Sequence, residues 1–306
     1  MNTNHKSLII LFIATVQVVT AVSAPKQSML GSDENLLAWA FLNYEPEGRS
    51  PGERAQMLKR LGFTKCGYEG HPRFIGQLEE HIIAYRKHGI ELVGIYLELR
   101  QANPLEQDYL KEAIEILERQ KCKLQLWLTI KDSLLEDIPE DKRAEKACEY
   151  IRPLADKVLP MGCKIAMYNH GGWTGHPNNQ VQVIRRLQAI YNPKDLGIVL
   201  NFHHAHPFID QFPELFKQVR PYLFVVNTNG MHVMMKPDGK RVGDPKILAL
   251  GKGDHEVDML RVVKESGYTG PLGVIDHMGR VDPEVNLKNN LEALKAILSR
   301  LHAEDQ

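Results

Sequence analysis

Short apolar runs recur along the chain, and four of the later ones stop at histidine, asparagine or aspartate. Lys164-Ile165-Ala166-Met167-Tyr168 leads into Asn169-His170-Gly171-Gly172-Trp173, and Leu196-Gly197-Ile198-Val199-Leu200 into Asn201-Phe202-His203-His204-Ala205-His206. Leu223-Phe224-Val225-Val226 leads into Asn227-Thr228-Asn229-Gly230, and Leu272-Gly273-Val274-Ile275 into Asp276-His277. Runs this short read as buried strands. The same pattern predicts strands over 37–42, 65–68, 92–97, 124–130, 164–168, 197–201, 223–227 and 272–276. Amphipathic helical patterns cover 51–61, 74–88, 107–120, 142–158, 179–190, 208–219, 255–266 and 286–302. The first begins with Pro51 after Ser50, a favourable first-turn placement. Strands that alternate with helices eight times predict an α/β chain of one domain, a (β/α)8 TIM barrel. A doubly wound open sheet is the alternative, but its glycine-rich fingerprint after the first strand is missing. In a barrel the polar strand ends emerge on one rim, where this architecture carries its chemistry.

The first residues stand apart from this pattern. Met1 to Lys6 is a short polar start, Ser7 to Val22 is uncharged and mostly apolar, and Val22-Ser23-Ala24 supplies small residues for cleavage. That predicts a signal peptide over 1–24, a short leader over 25–34 and the barrel domain over 35–306. The protein is then expected to be exported, to a periplasm or the extracellular space. An uncleaved anchor helix is the alternative, although the apolar run is short for a membrane span. No later segment is long and apolar enough to cross a membrane, so none is expected after cleavage. Lys and Arg total 38, matched by 38 Asp and Glu, so no basic field invites nucleic acid. Cys66, Cys122, Cys148 and Cys163 are far apart, without a CxxC pair. Export permits disulfides, but isolated buried thiols are the favoured reading, and a zinc ribbon is excluded.

Several rim residues are candidates for chemistry. His170 precedes two glycines that would let a ligand approach the backbone, and Trp173 could stack on a sugar face. His203, His204 and His206 form a denser cluster; if the strand continued, His203 and His204 would face opposite ways. His277 follows Asp276, and either a functional or a structural role fits it. Asn227 and Asn229 share a face at a spacing of two, and amides both donate to and accept from hydroxyls; capping is their structural alternative. Glu98 ends the third strand and could be a base, or be tied up by Arg100. Glu69 reads as an exposed loop carboxylate or as a second candidate base. Gly251-Lys252-Gly253 before a helix could cradle an anion, though a plain tight turn suits a lone GxG better.

The chain resembles the xylose isomerase-like TIM barrels, the sugar phosphate isomerase/epimerase superfamily, over most of its expected mature length. The resemblance rests on Gly251-x-Gly253, Asp258 and Gly267-Tyr268-x-Gly270 before the last strand, and on Asn201-Phe202-His203-His204, which is similar to the superfamily's D-x-x-H strand end. It implies that His204 contacts substrate. Metal-dependent members hold a divalent cation with a Glu, an Asp, a His and a Glu from the last four strands. Those places fall here on Tyr168, Asn201, Asn227 and Ile275, or Asp276 one residue on. The usual Mn²⁺ or Mg²⁺ ligand set is therefore substituted, since hard ions want anionic oxygen. A zinc-like site from His170, His204 and His277 with Asp276 is a separate possibility. The resemblance implies a small carbohydrate partner and proton abstraction beside a carbonyl, by isomerisation, epimerisation or elimination. His170 and His204 are then the acid/base candidates. Asn169, Asn201, Asn227, Asn229, Asp276 and His277 would contact the substrate, with Trp173 as a stacking face. Export disfavours sugar phosphates and favours free sugars, glycosides or keto-glycosides. A sugar-binding barrel without catalysis, or a degenerate partner subunit, is the competing class. A nuclease of the same superfamily would need a multi-metal site and a basic face, and the chain has the signs of neither.

Overall fold

The structure is a computed structural model that describes residues 30–45, 48–232, 247–279 and 281–304. Eight parallel strands close into a barrel in sequence order. They are β1 (Leu36–Trp39), β2 (Lys65–Glu69), β3 (Glu91–Leu99), β4 (Gln125–Ile130), β5 (Lys164–Tyr168), β6 (Leu196–Asn201), β7 (Leu223–Thr228) and β8 (Leu272–Ile275). Leu36 pairs with Leu272 where the last strand meets the first. The larger helices outside are α1 (Pro51–Arg60), α3 (Leu78–His88), α4 (Asp108–Arg119), α5 (Glu140–Val158), α7 (Pro177–Gln188), α9 (Phe212–Val219), α10 (Glu256–Glu265) and α11 (Pro283–Ala303). Single turns α2 (Pro72–Ile75), α6 (Gly172–Gly175) and α8 (Phe202–Ala205) lie at the rim after β2, β5 and β6.

Local chemistry explains the boundaries. Ser50 and Glu53 form a reciprocal capping box at the start of α1, with Pro51 at its first position. The helix expected over 74–88 breaks into α2 and α3, and α3 ends on Gly89 in the left-handed region. The helix expected from 208 starts only at Phe212, because Phe208 has non-helical dihedrals inside a short 3-10 stretch. The described residues ahead of 35 pack on the barrel. Leu30 is buried, Gly31 packs against Leu298 of α11, and Asp33 pairs with Lys295 at 2.7 Å. The predicted signal peptide lies outside the described residues. No helix among the described residues is long and apolar enough to cross a membrane.

Strand alternation builds two cores. In β5, Ile165 and Met167 face the helices, while Ala166 and Tyr168 face the barrel interior. The interior is unusually aromatic. Trp39 and Trp127 meet edge-on at 4.8 Å, and Trp127 stacks on Tyr168 at 6.3 Å. Glycine makes the room: a Cβ at Gly94 would lie 2.4 Å from the Trp127 indole, and one at Gly67 2.8 Å from it. This layer is the floor on which the rim residues stand. The four cysteines are buried and free, in line with the thiol reading.

Candidate functional site

A cavity of about 280 Å³ opens at the C-terminal ends of the strands. Its floor is Trp39, Tyr96, Tyr168 and Ile275, and its walls carry Glu69, Glu98, Arg100, His170, Asn201, His204 and His277. Of the residues expected at the site, His170, His204, Asn201 and His277 line it together. The His170 and His204 rings meet edge-on with centroids 4.5 Å apart, and Tyr96 lies 5.5 Å from His170. Loss of water around the ring lowers the His170 pKa.

The expected alternation of His203 and His204 does not occur. The strand stops at Asn201, whose side chain accepts from the His203 amide at 3.0 Å and caps the α8 turn. Helical geometry then brings the two rings to 4.4 Å, with His203 6.1 Å from His277. His277 is held against the backbone of Ala40, a non-glycine residue with φ of 56°. Burial drives the His277 pKa down to about 4, so the ring is neutral at pH 7.

The other expected residues do not line the cavity. Trp173 is in α6, its indole donating to Glu140 at 2.5 Å, outside the barrel. Asn169 spans to β6, donating to the Asn201 carbonyl at 3.0 Å and accepting from its amide at 2.7 Å. That is a substitute for a strand ladder, not a ligand contact. Asn227 is fully buried inside the barrel, packed against Gly273. Asn229 is buried and donates to the Gly230 carbonyl at 2.9 Å. Asp276 faces outward beneath α11, accepting from Asn286, and burial raises its pKa to about 6. The phase of a strand decides these cases: Ile275 takes the inward place and Asp276 the outward one. In the glycine loop, the Gly253 amide donates to the buried Glu256 carboxylate at 2.7 Å, so the protein's own acid satisfies that donor.

Sequence reasoning undervalued Glu69. It is the last residue of β2, points inward and is 5% exposed. Its Oε2 accepts from the amides of Leu42 at 2.7 Å and Asn43 at 3.1 Å, and its Oε1 from the Asn43 side chain. Burial nevertheless raises its pKa to about 7. One more residue of strand after Tyr68 places it on the inner face, in phase with Gly67. Glu98 lines the cavity and pairs with Arg100, whose guanidinium also lies 5.7 Å from the Tyr109 ring.

The inward ends of the last four strands are Tyr168, Asn201, Asn227 and Ile275. The Tyr168 hydroxyl accepts from Trp39 Nε1 at 3.0 Å and Asn201 Nδ2 at 2.5 Å. Burial pushes its pKa up to about 12, so it remains a protonated phenol. Both lone pairs of that oxygen are used, and no carboxylate is present. This set does not fit a hard divalent ion. The alternative histidine site is not assembled either, since Asp276 faces α11 and no group of three His, Cys, Asp or Glu among the described residues is placed to hold a metal.

The sequence profile of the xylose isomerase-like TIM barrels matches residues 56–297. The chain belongs to this family. No curated protein sequence matches the chain. Among solved structures, this xylose isomerase-like barrel is similar to the IOLI protein with a bound zinc atom, at 13% identity and a TM-score of 0.66 over 87% of this chain and 99% of that one. It is similar to a D-psicose 3-epimerase studied in the presence of D-fructose, at 12% identity and a TM-score of 0.62 over 86% and 99%. A 3-keto-D-glucoside 4-epimerase from E. coli aligns at 14% identity and a TM-score of 0.58 over 86% and 99%. At these identities the likeness concerns the fold.

Proposed function

We propose that the rim cavity binds a small neutral carbohydrate that carries a carbonyl, and moves a proton at the adjacent carbon without a resident divalent metal. The observation that carries this reading is the His170–His204 pair, 4.5 Å apart in the wall of a cavity of about 280 Å³. The volume suits a monosaccharide and lies at the small end of ligand pockets, which start at about 300 Å³. Neutral imidazoles both accept and donate, so they can carry a proton near pH 7 and hold hydroxyls. Asn201 and His277 add polar contacts, and Arg100 supplies a positive charge for an oxygen that becomes negative. The epimerases among the similar structures make ketoses and keto-glycosides the first substrates to try. Elimination from such sugars begins with the same proton abstraction and belongs to the same reading.

The test is solvent exchange in D₂O with D-fructose, D-psicose and methyl 3-keto-β-D-glucoside. Wild-type protein should introduce deuterium beside the carbonyl of at least one of them. His204→Asn should lower that rate by about a hundredfold while leaving affinity within a few-fold. The uncharged set at Tyr168, Asn201, Asn227 and Ile275 favours a second reading, a sugar-binding barrel without turnover. Binding of these sugars with no exchange at all would select it. We also propose export, on the strength of the apolar run from Ser7 to Val22. N-terminal sequencing of the secreted protein should start just after Ala24; intact Met1 on an exported chain would refute cleavage.

A further inference from the structure

We propose that the Glu69 carboxylate is the base that takes the proton from carbon, working from the wall opposite the His170–His204 pair. The inference rests on the proton-transfer reading above and names a group that reading did not contain. Three strands separate β2 from β6 in either direction round the closed barrel. Glu69 at the end of β2 and His204 in the turn after β6 therefore reach one cavity from opposite sides.

The hydrogen bonds on Glu69 leave it usable. Oε2 is filled by the Leu42 and Asn43 amides, whereas among the described residues Oε1 accepts only from the Asn43 side chain. A carboxylate offers about four acceptor directions, so one on Oε1 stays available to a proton. The three donors also fix the carboxylate plane, which a base needs in order to reach one particular C–H. Its pKa of about 7, raised by burial, suits both halves of a proton transfer at neutral pH. The charged or titratable groups lining the cavity with it are Tyr96 and Glu98 from β3, Arg100 just after it, His71, Tyr109, Tyr168, His170, His204 and His277, with Asp276 after β8 adding to the upward shift.

The step balances without a co-reactant. Glu69 takes the proton from the carbon beside the carbonyl, the C–H pair becomes the carbon–carbon double bond of an enolate, and the carbonyl π pair moves onto oxygen. A solvent-exchanged proton returned by Glu69 gives exchange with retention. One delivered by the His204 ring from the other side, which then regains a proton from solvent, gives the opposite configuration, so two opposed walls favour epimerisation.

Glu69→Gln separates this role from a mere tether of residues 42–43, because the amide oxygen still accepts from both backbone amides. With the sugar that wild type exchanges among D-fructose, D-psicose and methyl 3-keto-β-D-glucoside, the variant should exchange about a hundredfold more slowly at saturation. Its affinity should hold within a few-fold, and the rise of rate with pH centred near 7 should vanish. A variant that keeps the wild-type rate, or keeps that pH limb, overturns the role of Glu69 and leaves the proton-transfer reading intact. Wild-type protein that exchanges none of the three sugars overturns both. Should Glu69→Gln not fold, Glu69→Asp draws the carboxylate back by one methylene. It must slow exchange and retain the pH limb; an Asp variant at the wild-type rate overturns the proposal.

Discussion

The two halves of the rim differ in the kind of polar group they carry. On the β1–β4 side stand Glu69, Glu98 and Arg100, each charge tied to a partner. On the β5–β8 side stand Tyr168, His170, Asn201, His204 and His277, a set without a carboxylate. The rim carboxylates of this cavity therefore all lie on the β1–β4 side. One physical effect acts on both halves. Burial penalises the ionised form, which raises Glu69 to about 7 and lowers His277 to about 4. At neutral pH Glu69 is poised between its two states and His277 is neutral. The difference teaches that one barrel rim can set a buried carboxylate and a group of imidazoles against each other across a single cavity.

Both halves stand on one aromatic floor, and its removal should have the largest effect. Trp127 touches Trp39 on one side and Tyr168 on the other. Trp127→Ala should cost about 3–5 kcal/mol in urea unfolding, the usual scale for a buried aromatic. A loss under about 1 kcal/mol would show that the interior aromatics do not support the rim as a unit.

The pH dependence of stability separates the halves next. The folded Glu69 carboxyl stays protonated up to about pH 7, above the ordinary glutamate value near 4.3. The folded chain thus binds more protons in that window, and this contribution is present below pH 4 and lost as pH rises through 7. His81 and His277, both lowered to about 4, act in the opposite sense. Their contribution is present above about 6.5 and lost as pH falls through 4. Asp276, raised to about 6, acts in the same sense as Glu69, and Glu69→Gln removes the Glu69 term alone. Relative to wild type, its unfolding free energy should gain on the order of 3 kcal/mol between pH 4 and 7. Parallel curves would mean that the Glu69 pKa is the same folded and unfolded.

A smaller effect is expected from Tyr168→Phe. It leaves Trp39 Nε1 and Asn201 Nδ2 as buried donors without their oxygen, at a cost of about 1–3 kcal/mol. Added Mn²⁺ should raise the Tm of neither wild type nor variant. A Tm rise in wild type alone would mean that the phenol takes part in a cation site. The smallest effect concerns Trp173, which belongs to neither half. Trp173→Phe should change sugar affinity by less than about twofold, because its indole bonds Glu140 outside the cavity. A tenfold loss would put it back at the site.

Much of this was readable along the chain, and particular residues show where reading stopped. Glu69 was undervalued because the apolar pattern of β2 fades at Tyr68, while the strand runs one residue further. Asp276 was overvalued for the mirror reason, since β8 turns its inward face to Ile275 one residue earlier. A one-residue error in phase exchanges core for cavity, because side chains alternate along a strand. Trp173 follows a strand closely in sequence, but the positive φ of Gly171 and Gly172 turns the chain outward before it.

The barrel, its strand order and the rim position of His170 and His204 follow from local signals: apolar period, cap residues and polar strand ends. These signals act between near neighbours, so a linear reading can find them. The pairing of Glu69 with the backbone of residues 42–43, the closure of Tyr168 by Trp39 and Asn201, and the shifts that bring acid and imidazole toward neutrality arise only in three dimensions. Each depends on groups more than 20 residues apart meeting where water has been removed. Desolvation and long-range hydrogen bonding have no period along a chain, and they settle which of its polar residues line the cavity.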